Sequence, residues 1–592
     1  MSRRTRPTKT PKRAISSDGS MTHRQVLEAL SGLLMGMFVS ILAGTVVATS
    51  MPIIISDLKG DQSAYTWVIT GTLLATTVST PIWGKFADLF NRKLLIQLAL
   101  AVFVIGSALA GFSQDTGTLI GFRVLQGLGA GGLAALSQII MADIISPRDR
   151  GKYAGLFGGV MAIGTVGGPL LGGVVTDAFG WRWNFFIALP VAIVAIVLLQ
   201  RTLHLPPRVK RVVKIDYLGA ALITGGVSLL MIWVTMGGNQ FEWSSVESFA
   251  MIIGAAVLLV AAIIVEFKVA EPIIPLTLFK NRTFTLATVA SISVGVSMFG
   301  TSVFLSQYMQ LARGATPTQS GLLTIPMMGG LLISSTLFGT LISRTGKWKA
   351  IMVSGGVLVV AGLLLLGSLQ YDTNLVLVGV FMFVLGAGLG MVMQNLVLVV
   401  QNSTEVSHLG VATSAVTFFR SLGGTIGVSV LGSVLGTVVA QNIKDGISTL
   451  APADQAAAAQ ALGSGAIPNI GSLPDAIRVV VESAYGTGVG TVFLLGVPLA
   501  VITLVMVALL PNAVLGSQTA IALSKAKADA ETRITPNLEA QDQRELEDAE
   551  DMLIEVAAAS AALPPVGLAH PTGSIRVHPD ADQTQKNPSI GR

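Results

Sequence analysis

The 592-residue chain contains no cysteine. That excludes disulfides, thiolate nucleophiles and any metal site built on sulfur. Histidine is also scarce: five residues with no H-x-x-x-H pair leave no histidine metal cluster, so no metal is expected. Charged residues make up only 12% of the chain, against roughly 25% in a soluble domain. No Ser/His/Asp set, HExxH motif or paired-carboxylate cluster stands out, which argues against an enzyme, and no cofactor is expected.

What is present is apolar, with 52% hydrophobic residues and a mean hydropathy of +0.71. Uncharged runs long enough for a hydrocarbon core of about 30 Å recur from residue 30 to 511. Spans are predicted near 28–51, 65–83, 94–112, 118–141, 151–175, 184–200, 216–236, 248–267, 284–306, 319–342, 350–369, 375–400, 412–439 and 487–510, fourteen in all. The lipid bilayer is therefore the first expected partner. The first 25 residues are basic without an apolar core, so they are no cleavable signal peptide, and the first apolar run reads as a retained helix.

The net charge of +6 is explained by where the cations fall, so no nucleic-acid partner is expected. With the N-terminus inside, cytoplasmic connections carry seventeen Lys and Arg, among them Lys85, Arg92, Lys93, Arg148, Arg150 and Lys152. Outer connections carry five: Lys59, Arg182, Arg313, Lys444 and Arg478. This bias places both termini in the cytoplasm. Residues 1–27 form a basic tail, 201–214 a basic linker, and 440–486 a long outer loop with a short helix over DQAAAAQAL. Beyond Pro511 the chain turns charged and Ala/Glu-rich, partly helical near 522–562 and then disordered.

Four stretches carry polar groups that need explaining. Gly84-Lys-Phe-Ala-Asp88-Leu-Phe-Asn-Arg92-Lys93 joins the second and third spans, and Gly339 to Lys347 repeats its outline between the tenth and eleventh. Paired halves of this kind are typical of secondary transporters. The bland reading of Gly84–Lys93 is a positive-inside loop. The sharper one is a latch in which Asp88 and Arg92 pair with each other, with Asp143 and with Arg150, or in which a carboxylate meets a helix N-terminus of the other half. Arg123, with Gln126 and Gly127 on its face, lies inside the fourth span, where charge is costly and by default functional. Its alternative is snorkelling to the outer helix end, and the same choice applies to Arg420 in the thirteenth span. Gly127 and Gly131 have small-xxx-small spacing for close helix approach. In the fifth span Gly155, Gly164, Gly168, Pro169, Gly172 and Gly173 interrupt an apolar helix. Gly164, Gly168 and Gly172 share one face, which predicts a smooth, bent seam where two bundles rock.

Taken in this order, the motifs resemble the major facilitator superfamily, specifically its fourteen-span drug:proton antiporter branch. Residues 84–93 resemble the loop G-x-x-x-D-x-x-x-R-K/R. Arg123-Val-Leu-Gln126-Gly127 resembles the fourth-helix R-x-x-Q-G motif. The glycine–proline pattern of span five matches the antiporter signature, and Trp181-Arg182-Trp183-Asn184-Phe185 resembles W-R-W-x-F. The resemblance covers residues 28–511. It implies an all-α polytopic membrane protein with six-helix bundles at 28–200 and 284–511 and two inserted helices within 201–283.

The resemblance further implies proton-driven export of amphipathic small molecules from the plasma membrane, by alternating access of a central cavity and as a functional monomer. Arg123 would serve proton coupling. Gly84, Asp88, Arg92, Lys93, Asp143 and Arg150 would form the cytoplasmic gate. One position departs from the branch: Ala43 stands where its first helix often has an acid. That weakens a strict preference for cationic drugs and points toward neutral, zwitterionic or anionic amphiphiles, with Arg123 and Arg420 as counter-charges. The expected cavity residues are Gln126, Met298, Phe299, Gln307, Gln394, Asn395, Phe418, Phe419 and Arg420. Export of an endogenous lipid, siderophore or metabolite is the alternative, and a polytopic enzyme or receptor is a remote third.

Overall fold

Long apolar segments in lipid must satisfy their backbone groups internally, so they fold as helices. The computed structural model describes residues 23–60, 62–203, 205, 216–238, 240–269, 271–462, 473–526 and 544–555. Most of the basic N-terminal tail, most of the 201–214 linker, residues 463–472 and much of the tail beyond 526 lie outside these ranges.

Fourteen long helices occur among the described residues. They are α1 His23–Asp57, α2 Gln62–Leu89, α3 Arg92–Gly111, α4 Thr116–Ile144, α5 Gly151–Phe179, α6 Ala188–Thr202, α7 Tyr217–Met236, α8 Val246–Lys268, α9 Arg282–Gln307, α10 Ile325–Thr345, α11 Lys349–Leu366, α12 Leu375–Ser403, α13 Leu409–Ser448 and α14 Asp475–Leu509. Several begin at polar residues that satisfy the free N–H groups of the first turn. Asn91 caps α3, Asp115 caps α4, Asp216 caps α7, Ser245 caps α8, Asn281 caps α9 and Asn374 caps α12.

Among the described residues, thirteen helices are long and apolar enough to cross a membrane. The other long helix, α2, spans 28 residues and carries Thr66, Thr70, Thr72, Thr76, Thr77, Ser79 and Thr80. Those hydroxyls lower its hydropathy without exposing it to lipid as a polar face. Thr72, Thr76 and Thr80 donate to carbonyls of their own helix, and Ser79 and Trp83 donate to Leu128 O of α4. Gly127 and Gly131 permit this approach, since a Cβ on either would overlap a carbonyl oxygen of α2.

The packing repeats. In the first bundle α1 pairs with α5 and α6, and α4 with α2 and α3; in the second, α9 pairs with α13 and α14, and α12 with α10 and α11. Each bundle has its own apolar core. Two seams join them, α2 against α13 and α5 against α10. The inserted helices α7 and α8 pack on each other, and α7 lies against α2 and α13.

Two expectations change. The described residues of the predicted outer loop 440–486 are largely helix. α13 has 40 residues and α14 has 35, so at 1.5 Å per residue α13 runs about 60 Å and extends past the bilayer core. The short helix forms over Pro452–Leu462, where DQAAAAQAL placed it. The glycine seam of α5 also faces a different partner. Gly164, Gly168 and Gly172 meet Ile41, Thr45 and Val46 of α1, inside their own bundle, and Thr45 Oγ1 donates to Gly164 O at 3.0 Å. Contact with the other bundle is made by Gly151, Gly155 and Gly158 against α10, and by Pro169 beside Gly321. Gly173 has no close neighbour.

Residues up to Lys525 form one compact unit and Ala526 onward a second. Beyond Ala526, the described part of the second is an exposed helix over 544–555.

Candidate functional site

At the basic face both seams close on glycine pairs. A Cβ on Gly84 of α2 would overlap Ser414 Oγ of α13, and one on Gly410 would stand 2.5 Å from Gly84 O. On the other seam a Cβ on Gly151 would overlap Gly339 O, and one on Gly339 would overlap Gly151 O. Backbones this close leave no room for an intervening side chain.

Asp88 locks the first seam. Its two carboxylate oxygens each accept a 2.9 Å bond, from the N–H groups of Gly410 and Val411. These are free donors at the start of α13, where His408 provides no side-chain cap. The carboxylate thus faces the positive end of the α13 dipole. Arg92 holds it from behind, donating to Asp88 Oδ1 at 3.0 Å and to Ala87 O at 2.8 Å, and pairing with Asp143. The Arg92 side chain is 1% exposed. A buried pair of this kind is costly to break, because removing one partner strands the other.

The expected gate residues divide. Asp88, Arg92, Asp143 and Gly84 come together. Lys93 turns away and donates to Gln200 O at the end of α6, at 2.8 Å. Arg150 makes no ion pair with Asp88 or Asp143. It bonds Gln401 Oε1 of α12, Ile145 O and Ala142 O, because the start of α5 directs its guanidinium across the seam. Gln401 in turn donates to Gln138 O and Thr413 Oγ1.

A segment beyond α14 crosses the same face. Trp348 Nε1 donates to Ala513 O at 2.8 Å, and the Asn402 side chain bonds both Val514 O and Gly516 N. Arg148 N of the first bundle donates to Gly516 O at 3.1 Å. Leu515 is buried in the second core, and Ala520 among Ala142 and Leu409. Residues 511–521 are therefore a strap over both bundles. Sequence reading missed it because an extended segment has no periodicity to recognise.

The expected cavity residues do not gather in one chamber. Gln394 and Asn395 line a cavity of 20 Å³ between the bundles with Arg150 and Gln401, room for about one water. Phe418 is buried and Phe419 half-buried in an apolar cluster with α7 and Phe279, where they pack rather than line a chamber. Phe299 packs on Gly424, and Met298 on the second core. Gln307 is half-buried at the end of α9, before a π-type turn. An open cleft of 760 Å³ lies among Arg313, Gln319, Tyr371, Asp372 and Glu482, none of them an expected cavity residue.

Arg123 is buried two turns into α4, and Nη1 donates to Gln126 Oε1 at 2.6 Å. Its Nε and Gln126 Nε2 have no partner among the described residues, and no carboxylate pairs with it. Arg420 is 9% exposed and likewise makes no ion pair there. Ala43 is 1% exposed within the first core. At the far end Trp181 Nε1 and Arg182 Nη1 both donate to Asp57 Oδ2, at 2.8 and 3.1 Å, holding that carboxyl below its ordinary range. That explains the W-R-W-x-F stretch as a clasp on the end of α1.

With this geometry in hand, comparison with known proteins is informative. The profile of the Major Facilitator Superfamily matches residues 33–428. The chain is 37% identical over 421 residues to the multidrug transporter protein MdtP of Bacillus subtilis, covering 71% of this chain and 77% of that one. It is 33% identical to multidrug resistance protein 3 of the same organism, over 78% and 91% of the two chains. The uncharacterized MFS-type transporter Rv1877 of Mycobacterium tuberculosis is 35% identical over 86% and 72%. A solved structure, the human organic anion transporter MFSD10 (TETRAN), aligns with a TM-score of 0.53 at 15% identity, over 80% of this chain and 99% of that one. That likeness speaks to the fold alone.

Proposed function

This chain belongs to the Major Facilitator Superfamily, and we propose that it exports drugs or other amphipathic small molecules across the plasma membrane, by proton antiport and alternating access. That it is a multi-pass membrane transporter of small molecules follows from the family. Export of drugs is supported by relatives named for multidrug transport. The basic face is assigned to the cytoplasm on its excess of Lys and Arg, which puts both termini inside and the 760 Å³ cleft outside.

The observation that carries the reading is the Asp88 cap on α13. A permanent structural joint would be served as well by apolar packing. A carboxylate on a helix N-terminus of the other bundle, with a buried arginine behind it, is a contact of two discrete states. Closed, it seals the cytoplasmic side; opened, it frees both seams and requires the 511–521 strap to lift. Gly84, Asp88, Arg92 and Asp143 form the gate, with Arg150 acting through Gln401. The α1–α5 glycine seam lets α5 move with its own bundle. The lone guanidiniums of Arg123 and Arg420 are the charges available to an amphiphile inside the membrane.

Flux in proteoliposomes tests this. With an imposed pH gradient and a panel of dyes and antibiotics, accumulation should follow the gradient for several chemically unrelated compounds and collapse with it. Transport of one compound only, across all conditions, favours the endogenous-metabolite reading. Transport indifferent to the gradient would falsify antiport.

A further inference from the structure

An antiporter needs a group that gains and loses a proton, and the usual first-helix position offers none, since Ala43 sits in an apolar core. Buried carboxylates occur elsewhere, beneath the inserted helices. Asp216 precedes α7 and is 6% exposed. Its Oδ1 accepts from Gly219 N at 2.8 Å, while its Oδ2 is buried and meets no donor among the described residues. Glu266, in the last turn of α8, is also 6% exposed and accepts from the N–H groups of Ile273 and Ile274 at 3.1 and 3.2 Å. The two carboxyls flank the same glycine: a Cβ on Gly219 would overlap Asp216 Oδ2 and stand 3.1 Å from Glu266 Oε1.

Two buried carboxylates that flank one glycine cannot both stay ionised without cost, and a proton taken up by the pair removes one charge. The unpartnered oxygen is a buried group that a purely structural helix cap would not require. Among the described residues the charges bearing on Glu266 are Asp216 and Lys85. Lys85 reaches in from α2, 4% exposed, and pairs with Glu271 at 2.7 Å. Lys268 on the same helix is exposed, and the α13 residues packed here, Phe418, Phe419 and Leu422, are apolar.

We infer that Asp216 and Glu266 form a proton-binding site of the transporter, and that Lys85 transmits its charge state to the gate. The inference rests on the antiport reading and gives it a site. With the proton bound, Lys85 stays with Glu271. Once the proton leaves, a second negative charge draws the ammonium inward. Lys85 adjoins Gly84 and precedes Asp88 by one helical turn, so the pull acts on the end of α2 that engages α13. In this account the inserted helices are the coupling element.

Two measurements on the full-length protein test it. The first is an infrared pH titration in lipid nanodiscs, with no substrate. A protonated-carboxyl C=O band should fade as pH rises and should be missing in both Glu266→Gln and Asp216→Asn. The second compares ethidium exchange without a gradient against ethidium accumulation driven by one. Glu266→Gln should keep exchange within about twofold while driven accumulation falls roughly tenfold or more. Absence of a titrating band in the wild type, or its persistence in both variants, overturns the site. Equal loss of exchange and accumulation marks a structural role and overturns it too. If Glu266→Gln does not fold, Asp216→Asn decides, because asparagine still caps a helix; wild-type band and coupling in that variant overturn the proposal. If the band behaves as expected but wild-type accumulation ignores the gradient, the antiport reading has failed, and the coupling role of Lys85 falls with it.

Discussion

The two seams at the basic face are built on the same plan and locked differently. Gly84 meets Gly410 at the start of α13; Gly339 meets Gly151 at the start of α5. Four residues after each α2-type glycine comes the position that faces the partner helix. On one seam it is Asp88, which caps α13. On the other it is Ser343, whose buried hydroxyl has no partner among the described residues. The repeat preserves the close backbone approach and drops the charge. Glycine contact is thus the common requirement of closure, and the ionic cap is an addition to one side. Charge enters the second seam by another route, through Arg148, whose Nε donates to the backbone oxygen of Ser343 at 3.4 Å, while Arg150 reaches Gln401 of α12.

The largest expected effect comes from filling the shared contact. Gly151→Val would place atoms into Gly339 O, a backbone oxygen that cannot step aside. Transport should fall to background with the protein still in the membrane, as read by flux and surface labelling. Gly84→Ala meets chiefly the Ser414 side chain. Ser414→Gly should restore much of its lost flux, whereas no side-chain change should rescue Gly151→Val. Equal rescue on both seams would erase the distinction.

Asp88→Asn comes next. It removes the charge from two hydrogen bonds to α13 and leaves Arg92 with Asp143 alone. Hydrogen bonds to charged groups contribute about 1.5–3 kcal/mol, so turnover should drop about tenfold while substrate affinity changes little. Unchanged turnover would demote the cap to a passive contact. Ser343→Asp asks the reverse question. A carboxylate at the start of α5 should stabilise the closed seam by about 0.3–1 kcal/mol, raising the melting temperature and slowing turnover a few-fold. Asn402→Ala should have the smallest effect. It frees the strap at two hydrogen bonds, worth about 0.5–1.5 kcal/mol each, and should speed protease cleavage between 511 and 521 with near-normal flux.

Much of this was legible beforehand, for definite reasons. Span positions follow from uninterrupted apolar length, so even α2 was placed despite its threonines. The Asp88–Arg92 pair follows from i,i+4 spacing, and its contact with a helix N-terminus from the macrodipole. Other features depend on partners distant in the chain. Arg150 was expected among carboxylates, but its direction is set by the start of α5 and by Gln401, 251 residues away. The α5 glycines share a face, as periodicity required, yet periodicity is silent on whether that face meets α1 or α10. Lys93 lies in the motif but turns to α6. Phe418 and Phe419 read as cavity aromatics and serve as packing for α7.

The central question is whether the Asp88 cap holds the seam at the basic face shut. Because the chain has no native cysteine, spin labels can be placed cleanly at Phe90→Cys and Ser407→Cys, both exposed on opposite sides of that seam. The distance distribution of this pair should be dominated by a short population, and Asp88→Asn should shift it toward a longer one by about tenfold in ratio, the equivalent of roughly 1.4 kcal/mol. An identical distribution in the two proteins would contradict the account.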